Sequence, residues 1–241
     1  FVFFVHRENP VDNLSLEQIR AIYSREVTNW SRLGNAALPG GERADGGRTW
    51  PDARILAFQR PAGSGSQTAM LSMVMQGREM MAPLREERSS GMGDIVLRTA
   101  EYRNRLNALG YSFRWYATVQ FAHPDVKLIA VDGVYPSAEN IHNGSYPLTS
   151  NFFAVTVRPQ SASTSAFLDW LTGPDGPDLI TRSGYVGLGS ASRPYEPGGP
   201  VNRRERLYRP AKTAGARRPA RVTGGCKAER PGTAQKRRQA N

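Results

Sequence analysis

The sequence predicts an α/β protein with a largely parallel sheet, and the order of its strand-like and helix-like runs supports that prediction. Short apolar runs typical of strands alternate along residues 1–190 with runs of helical periodicity, as they do in βαβ units. The 241 residues are enough to bury a core of one or two domains. No apolar run approaches the roughly 18 residues that a membrane-spanning helix needs.

The first elements follow from local signals. Residues 1–5 form an apolar run typical of a strand, and a turn follows at Pro10. Ser15 is an N-cap residue, and Gln18, three positions later, completes a capping box, so we expect an amphipathic helix over 16–24. The glycine- and proline-rich stretch 34–53 predicts a loop.

A strand over residues 54–58 is followed by a loop rich in serine and glycine and then by a helix that reaches about residue 76. The later predicted elements are a helix over 94–104, a strand over 110–116, a strand over 127–131 that ends at the turn 132–133, a strand over 151–157 and a helix over 163–171.

The positive charge of the chain is confined to its last part. Of 32 Lys/Arg and 21 Asp/Glu, 14 and 3 lie in residues 193–241, which leaves 18 of each sign before them. The part that carries the strand and helix patterns is therefore neutral and gives no indication of nucleic-acid binding. Residues 191–241 are rich in Arg, Pro, Gly and Ala without apolar periodicity, and we expect a disordered basic tail there.

The loop at 60–66 combines groups that suit a compact oxyanion. Arg60 offers two parallel N–H donors, and Ser64 and Ser66 add hydroxyl donors. Gly63 and Gly65 allow the backbone to turn its N–H groups toward an anion without a Cβ in the way, at the start of a helix. These residues predict anion capture.

Other interpretations of the same loop are open at this point. An ordinary Gly/Ser turn could cap the helix while Arg60 lies on the surface. A nucleophile elbow requires G-x-S-x-G, but Ala62 takes the place of the first glycine. A P-loop requires a lysine after its last glycine, and Ser66 follows Gly65 instead. The loop alone does not decide between the turn and the anion site.

The rest of the chain resembles the phosphate-binding proteins of ABC importers. Residues 3–15, FFVHRENPVDNLS, resemble the entry to the second lobe of that family, and IYSREVTNW at 22–30 looks like its IYSGKxTNW stretch, with Arg25 where glycine is usual. Further matches in the same order are DGVYPSAENI at 132–141, NGSYPL at 143–148, AFLDWL at 166–171 and GYVGL at 184–188.

This resemblance implies a type II periplasmic-binding-protein fold, with two lobes that each hold a mixed sheet flanked by helices. It implies phosphate as the ligand and assigns its binding to Arg60, Ser64, Gly65 and Ser66. It implies no catalytic residue, no metal ligand and no cofactor, so we expect a binding protein and no enzyme.

The resemblance also implies a division of the chain. Residues 1–118 would form the second lobe, 119–126 a hinge or crossover, 127–190 the returning part of the first lobe, and 191–241 the tail. Most of the first lobe would then be absent from this chain, together with the acidic residue that accepts the proton of hydrogen phosphate. No carboxylate lies in 58–68, so we expect this chain alone either to bind weakly or to bind without discrimination between phosphate and sulfate.

The expected function is extracytoplasmic capture of inorganic phosphate by a monomer that delivers it to the membrane permease of an ABC importer. The location would be periplasmic or extracellular, with a lipid anchor as one form, although no signal segment stands in this chain. The alternative is a phosphate-sensing or adhesion protein that uses the same fold without transport. His6, His123 and His142 lie far apart and show no metal-ligand spacing.

Overall fold

The computed structural model describes residues 1–33, 43–44, 48–49 and 54–187. The chain divides into two units, Phe1–Glu196 and Pro197–Asn241, and all described residues belong to the first. The predicted disordered tail and most of the predicted loop 34–53 lie outside the described residues. None of the helices in the described part is both long and apolar enough to cross a membrane.

Strands and short helices alternate along the described residues. In chain order they are Val2–His6 (β1), Asn13–Leu14 (β2), Leu16–Tyr23 (α1), Arg43–Ala44 (β3), Arg48–Thr49 (β4), Leu56–Ala57 (β5), Gly65–Ala69 (α2), Met92–Ala100 (α3), Ala108–Ser112 (β6), Val126–Leu128 (β7), Ala130–Val131 (β8), Ala138–His142 (α4), Ala162–Thr172 (α5) and Asp175–Arg182 (α6). Turns of 3-10 helix lie at Trp30–Leu33, Arg85–Glu87 and Tyr102–Asn104, and π-helical turns at Met70–Met75 and Tyr116–Gln120.

The main sheet has four strands in the order β5-β6-β1-β7. β5 pairs with β6 in parallel, whereas β1 is antiparallel to both of its neighbours, β6 and β7. The sheet is therefore mixed, and the prediction of a largely parallel sheet is wrong. The alternation of strands and helices predicts element types, but it does not show that the first strand inserts in the opposite direction between two later ones. Two smaller ladders join β2 to β8 and β3 to β4.

β1 lies at the centre of the core, because all five of its residues are buried. One of its faces packs in a cluster with the first helix and the helix after the Ser/Gly loop, through residues such as Phe3, Ile19 and Met70. The other face packs in a second cluster with α3, through Phe4 and Val96. Burial on both faces explains why the sequence predicts this strand from a continuous run of apolar residues.

The capping-box prediction is confirmed. The Ser15 hydroxyl accepts a hydrogen bond from the Gln18 N–H, and the Gln18 side chain accepts one from the Ser15 N–H, at 3.1 and 2.8 Å. The helix that follows, α1, spans the predicted residues to within one position. The strand predicted at 54–58 is present in shortened form as β5, which has only two residues, and the helix after it is present as α2 with its π-helical continuation to Met75.

Two further predicted strands also have different bounds in the structure. The run predicted at 110–116 is strand only to Ser112, where the ladder to β1 ends at Val2, and Tyr116 already begins a π-helical turn. The run predicted at 127–131 is divided between β7 and β8, which pair with different strands. In each case the composition indicates extended backbone, but the available partner decides where a strand begins and ends.

The strand predicted over 151–157 is wrong, since this segment joins no ladder among the described residues. Its apolar side chains are exposed: Phe152, Phe153, Val155 and Val157 each retain more than 80% of their accessible surface. The β-branched and aromatic composition favours a strand, but a strand needs a neighbour to satisfy its N–H and C=O groups. The helix predicted after it is present as α5.

Candidate functional site

Arg60 directly follows a segment that is paired on two sides. The β5 strand runs parallel to β6, and the Phe58 N–H donates to the Leu109 carbonyl at 3.0 Å. On the opposite side, the Gln59 N–H donates to the Glu87 carbonyl at 2.8 Å, and the Ser89 N–H donates to the Gln59 carbonyl at 2.9 Å. These hydrogen bonds hold the backbone immediately before Arg60 in a fixed position.

The chain then turns back toward the start of α2. The Ser64 N–H donates to the Pro61 carbonyl at 3.2 Å, which closes a four-residue turn. Gly63, the third residue of this turn, has a φ of +82°, a backbone conformation that favours glycine. A Cβ at Gly63 would meet nothing within 4 Å, so its requirement for glycine is conformational and not steric.

Ser64 and Ser66 occupy the first turn of the helix in different ways. Ser64 is the N-cap, and its hydroxyl accepts a hydrogen bond from the Gln67 N–H at 3.3 Å. Ser66 is buried, with 2% of its surface exposed, and its Oγ has no hydrogen-bond partner among the described residues. The backbone N–H groups of Gly65 and Ser66 find no acceptor in the described part of the chain, as is usual for a first turn.

Gly65 is exposed and leaves open space beside the first turn. A Cβ there would meet nothing within 4 Å, and its φ does not lie in the left-handed region. The fold itself therefore does not require glycine at this position. A close approach by a ligand to the two N–H groups would require it.

Arg60 is half-buried and carries an unpaired charge. Its Nη1 lies 3.5 Å from the Ser89 carbonyl, while its Nε is buried without a partner among the described residues. In the described part of the chain no carboxylate lies within ion-pair distance of it. Nearby arginines differ in this respect, since Arg25 and Arg54 both pair with Glu87.

The structure brings Arg60 next to the helix start through a residue that the local pattern does not indicate. The Arg60 N–H donates to the Tyr111 hydroxyl oxygen at 3.1 Å, and the Tyr111 hydroxyl donates to the Gln67 Oε1. The strand that begins the loop and the helix that ends it are thus joined across a single oxygen atom. No signal near the loop could have identified Tyr111, because it lies 51 residues away.

A buried ionic cluster supports the strand that leads to Arg60. The Glu87 side chain is 1% exposed, and its carboxylate accepts from Arg25, from Arg54 at 2.8 Å and from the Leu84 N–H at 2.8 Å. Arg25 has a φ of +61°, a backbone conformation that favours glycine. In this chain the arginine side chain at that position joins Glu87.

A separate groove of about 300 Å³ lies between the turn Tyr116–Gln120 and β7. Its basic residues already have partners: Arg114 donates to the Pro136 and Gly184 carbonyls, and Lys127 pairs with Asp12 at 2.5 Å. Burial lowers the pKa of Arg114. Among the described residues no group of three or more His, Cys, Asp or Glu side chains could hold a metal ion. Because the basic residues of the groove already have partners, the Arg60 loop is the better candidate for an anion-binding site.

Comparisons with known proteins agree with this fold and support the resemblance seen in the sequence. The phosphate-binding protein PstS of Bacillus subtilis is 24% identical over 183 residues, which cover 76% of this chain and 53% of that protein. PstS of Pseudomonas aeruginosa is 26% identical over 201 residues, which cover 77% of this chain and 56% of that protein. The chain spans little more than half the length of these relatives.

Solved structures give the same result. A phosphate ABC transporter substrate-binding protein from Clostridium perfringens, solved with bound phosphate, has a TM-score of 0.56 at 28% identity, over 78% of this chain and 68% of that one. PstS from Borrelia burgdorferi has a TM-score of 0.57 at 21% identity, over 78% and 69%. These likenesses confirm the predicted periplasmic-binding-protein fold. The family described as the PBP superfamily domain matches residues 1–175, and the chain belongs to that family.

Proposed function

We propose that this protein captures inorganic phosphate outside the cytoplasm for an ABC importer, and that Arg60, Ser64, Gly65 and Ser66 form one side of the phosphate site. The observation that carries the proposal is that two buried donors of this one loop have no hydrogen-bond partner among the described residues. Both the Arg60 Nε and the Ser66 Oγ lie at the residues that the sequence assigns to the anion.

Burial of such groups is unfavourable unless a ligand completes them. An unsatisfied buried donor destabilises a protein by about 1–3 kcal/mol, and more when the donor is charged. A phosphate dianion between Arg60 and the first turn of α2 would accept from the guanidinium, the Ser66 hydroxyl and the free N–H groups of Gly65 and Ser66. The Ser64 hydroxyl, which accepts from Gln67, still has its own proton to donate.

The loop suits binding better than catalysis. A serine nucleophile needs a base within hydrogen-bond reach, but the Ser64 hydroxyl accepts from a backbone N–H, and the Ser66 hydroxyl has no partner in the described residues. The relatives reported above are named as phosphate-binding or substrate-binding proteins. We infer that the protein is no enzyme and that it works as a monomer which delivers phosphate to a membrane permease.

We also propose the lobe division given by the resemblance, with 1–118 as the second lobe, 119–126 as the crossover and 127–190 as the returning part of the first lobe. The site described above then belongs to the second lobe.

Calorimetric titration with phosphate tests the proposal. We expect Arg60→Ala to weaken phosphate binding by about a hundredfold or more, since it removes two charge-assisted hydrogen bonds. Arg20→Ala is a matched control: Arg20 is also half-buried and donates to a backbone carbonyl, that of Val74 at 2.6 Å, at the far end of the helix that begins at Gly65. Equal affinities in both variants would overturn the site assignment.

A further inference from the structure

The Tyr111 ring is held rigidly in the core. Tyr111 is fully buried in β6 and lies opposite Phe3 of β1. Its ring contacts those of Phe1, Phe3 and Tyr23, with centroids 5.5, 6.2 and 5.6 Å away. A ring surrounded by other aromatic rings has little freedom to move. Its hydroxyl therefore occupies a fixed position beneath the loop.

That hydroxyl uses both of its hydrogen-bonding functions on the two ends of the loop. It accepts from the Arg60 N–H at 3.1 Å and donates to the Gln67 Oε1. Gln67 in turn donates its backbone N–H to the Ser64 Oγ at 3.3 Å. The chain of hydrogen bonds runs from Arg60 through Tyr111 and Gln67 to Ser64, and so connects the residue after β5 with the first turn of α2.

The orientation of the Gln67 amide is fixed from its other end. Its Nε2 lies 3.4 Å from the Met80 sulfur, so the Oε1 faces the Tyr111 hydroxyl. Burial raises the pKa of Tyr111, which keeps the hydroxyl protonated and able to donate. This orientation leaves the Gln67 Oε1 as the acceptor for the Tyr111 hydroxyl proton.

We propose that Tyr111 is a positioning residue of the phosphate site: its hydroxyl sets the separation between Arg60 and the first turn of α2. The inference rests on the proposed function, because it assumes that these two elements hold one phosphate ion. Tyr111 does not contact the ligand in this account. It acts on affinity by holding the donors at the spacing that one tetrahedral ion can bridge.

Tyr111→Phe removes only the hydroxyl, and Tyr146→Phe is its matched control. Tyr146 is 1% exposed, and its hydroxyl donates to the Phe1 carbonyl at 2.9 Å. We expect both variants to lose stability in urea unfolding, and Tyr111→Phe to lose more, because it leaves two partners unpaired where Tyr146→Phe leaves one. Only Tyr111→Phe should weaken phosphate binding, by about tenfold, a ratio typical of the loss of one buried hydrogen bond. Unchanged affinity in Tyr111→Phe would overturn the inference.

A second variant separates positioning from simple destabilisation. Gln67→Met removes the acceptor of the Tyr111 hydroxyl but keeps the backbone N–H that donates to Ser64. If the two residues act through one chain of hydrogen bonds, their effects should not add. The variant with both Tyr111→Phe and Gln67→Met should then have the same phosphate affinity as the single variant that has the lower affinity. Additive losses would contradict the inference. Gln67→Met also provides the test if Tyr111→Phe does not fold.

Arg60→Ala, measured beside these variants, separates the test of the phosphate site from the test of the positioning role of Tyr111. If Arg60→Ala binds phosphate as the unmodified protein does, the proposed site itself is wrong. If Arg60→Ala abolishes binding while Tyr111→Phe keeps full affinity, the site stands and the positioning role of Tyr111 is wrong.

Discussion

Replacement of Ser66 by alanine should change stability and phosphate affinity in opposite directions. The Ser66 hydroxyl is buried, and it has no hydrogen-bond partner in the described part of the chain. An unsatisfied buried hydroxyl destabilises a fold by about 1–3 kcal/mol, and alanine is also the better helix former by roughly 0.5 kcal/mol. We therefore expect Ser66→Ala to raise the free energy of unfolding of the ligand-free protein by about 1.5–3.5 kcal/mol.

The same substitution should weaken phosphate binding. A hydroxyl that donates to a phosphate oxygen makes a charge-assisted hydrogen bond of about 1.5–3 kcal/mol, so its loss should reduce affinity roughly ten- to a hundredfold. Urea unfolding without phosphate and calorimetry with phosphate measure the two effects. A variant that is less stable and binds phosphate as before would refute the reasoning, because the hydroxyl would then have a structural role only.

Ser112→Ala is the control for this experiment. Ser112 is fully buried in β6, and its Oγ likewise has no partner among the described residues. It is not one of the residues assigned to phosphate. We expect Ser112→Ala to raise stability as Ser66→Ala does, through loss of an unsatisfied hydroxyl, and to leave phosphate affinity unchanged. A loss of affinity in Ser112→Ala would mean that the effect of Ser66→Ala is not local to the site.

Three further predictions concern the scaffold. Glu87→Ala leaves Arg25 and Arg54 without their buried carboxylate and should lower the free energy of unfolding by about 2–4 kcal/mol in urea unfolding; a change below about 0.5 kcal/mol would contradict this. Gly63→Ala should destabilise the protein by about 1 kcal/mol in the same assay, because alanine is strained at a φ of +82°, and no change would show that the turn is not held. Burial lowers the pKa of His6 from 6.5, so stability should fall as pH drops below 6.5, where the unfolded chain takes up the proton first; His6→Gln should flatten that decline.

Local signals in the sequence predicted the parts of the fold that depend on neighbours along the chain. The capping box of Ser15 and Gln18 and the helix after the Ser/Gly loop are present as expected. The N-cap role of Ser64 shows that the turn interpretation and the anion interpretation are compatible, since the same loop does cap a helix. These features depend on hydrogen bonds that span only a few residues.

Features that depend on distant partners could not be predicted in this way. The run at 151–157 has the composition of a strand, but only a neighbouring strand could make it one. The antiparallel insertion of β1 joins residues more than 100 positions apart. The hydroxyl of Tyr111 reaches the loop across 51 positions. In each case the decisive contact is tertiary, and no spacing within the segment encodes it.

Within the candidate site, the sequence predicted the hydrogen-bond donors but not which of them have partners in the described part of the fold. The pattern around Arg60, Ser64 and Ser66 predicted an oxyanion site, while the paired arginines Arg25 and Arg54 have the same side chain and a different environment. Which arginine has a carboxylate partner depends on the position of Glu87 in the fold. That Arg60 forms no ion pair with a carboxylate of the described residues is therefore information that only the structure provides.

A crystal structure of the protein grown with phosphate tests the central claim most directly. We expect one phosphate ion whose oxygens lie within about 3 Å of the Arg60 guanidinium, the Ser66 hydroxyl and the N–H groups at the start of α2. Phosphate bound elsewhere, such as in the groove beside Arg114 and Lys127, with Arg60 and Ser66 unchanged, would contradict it.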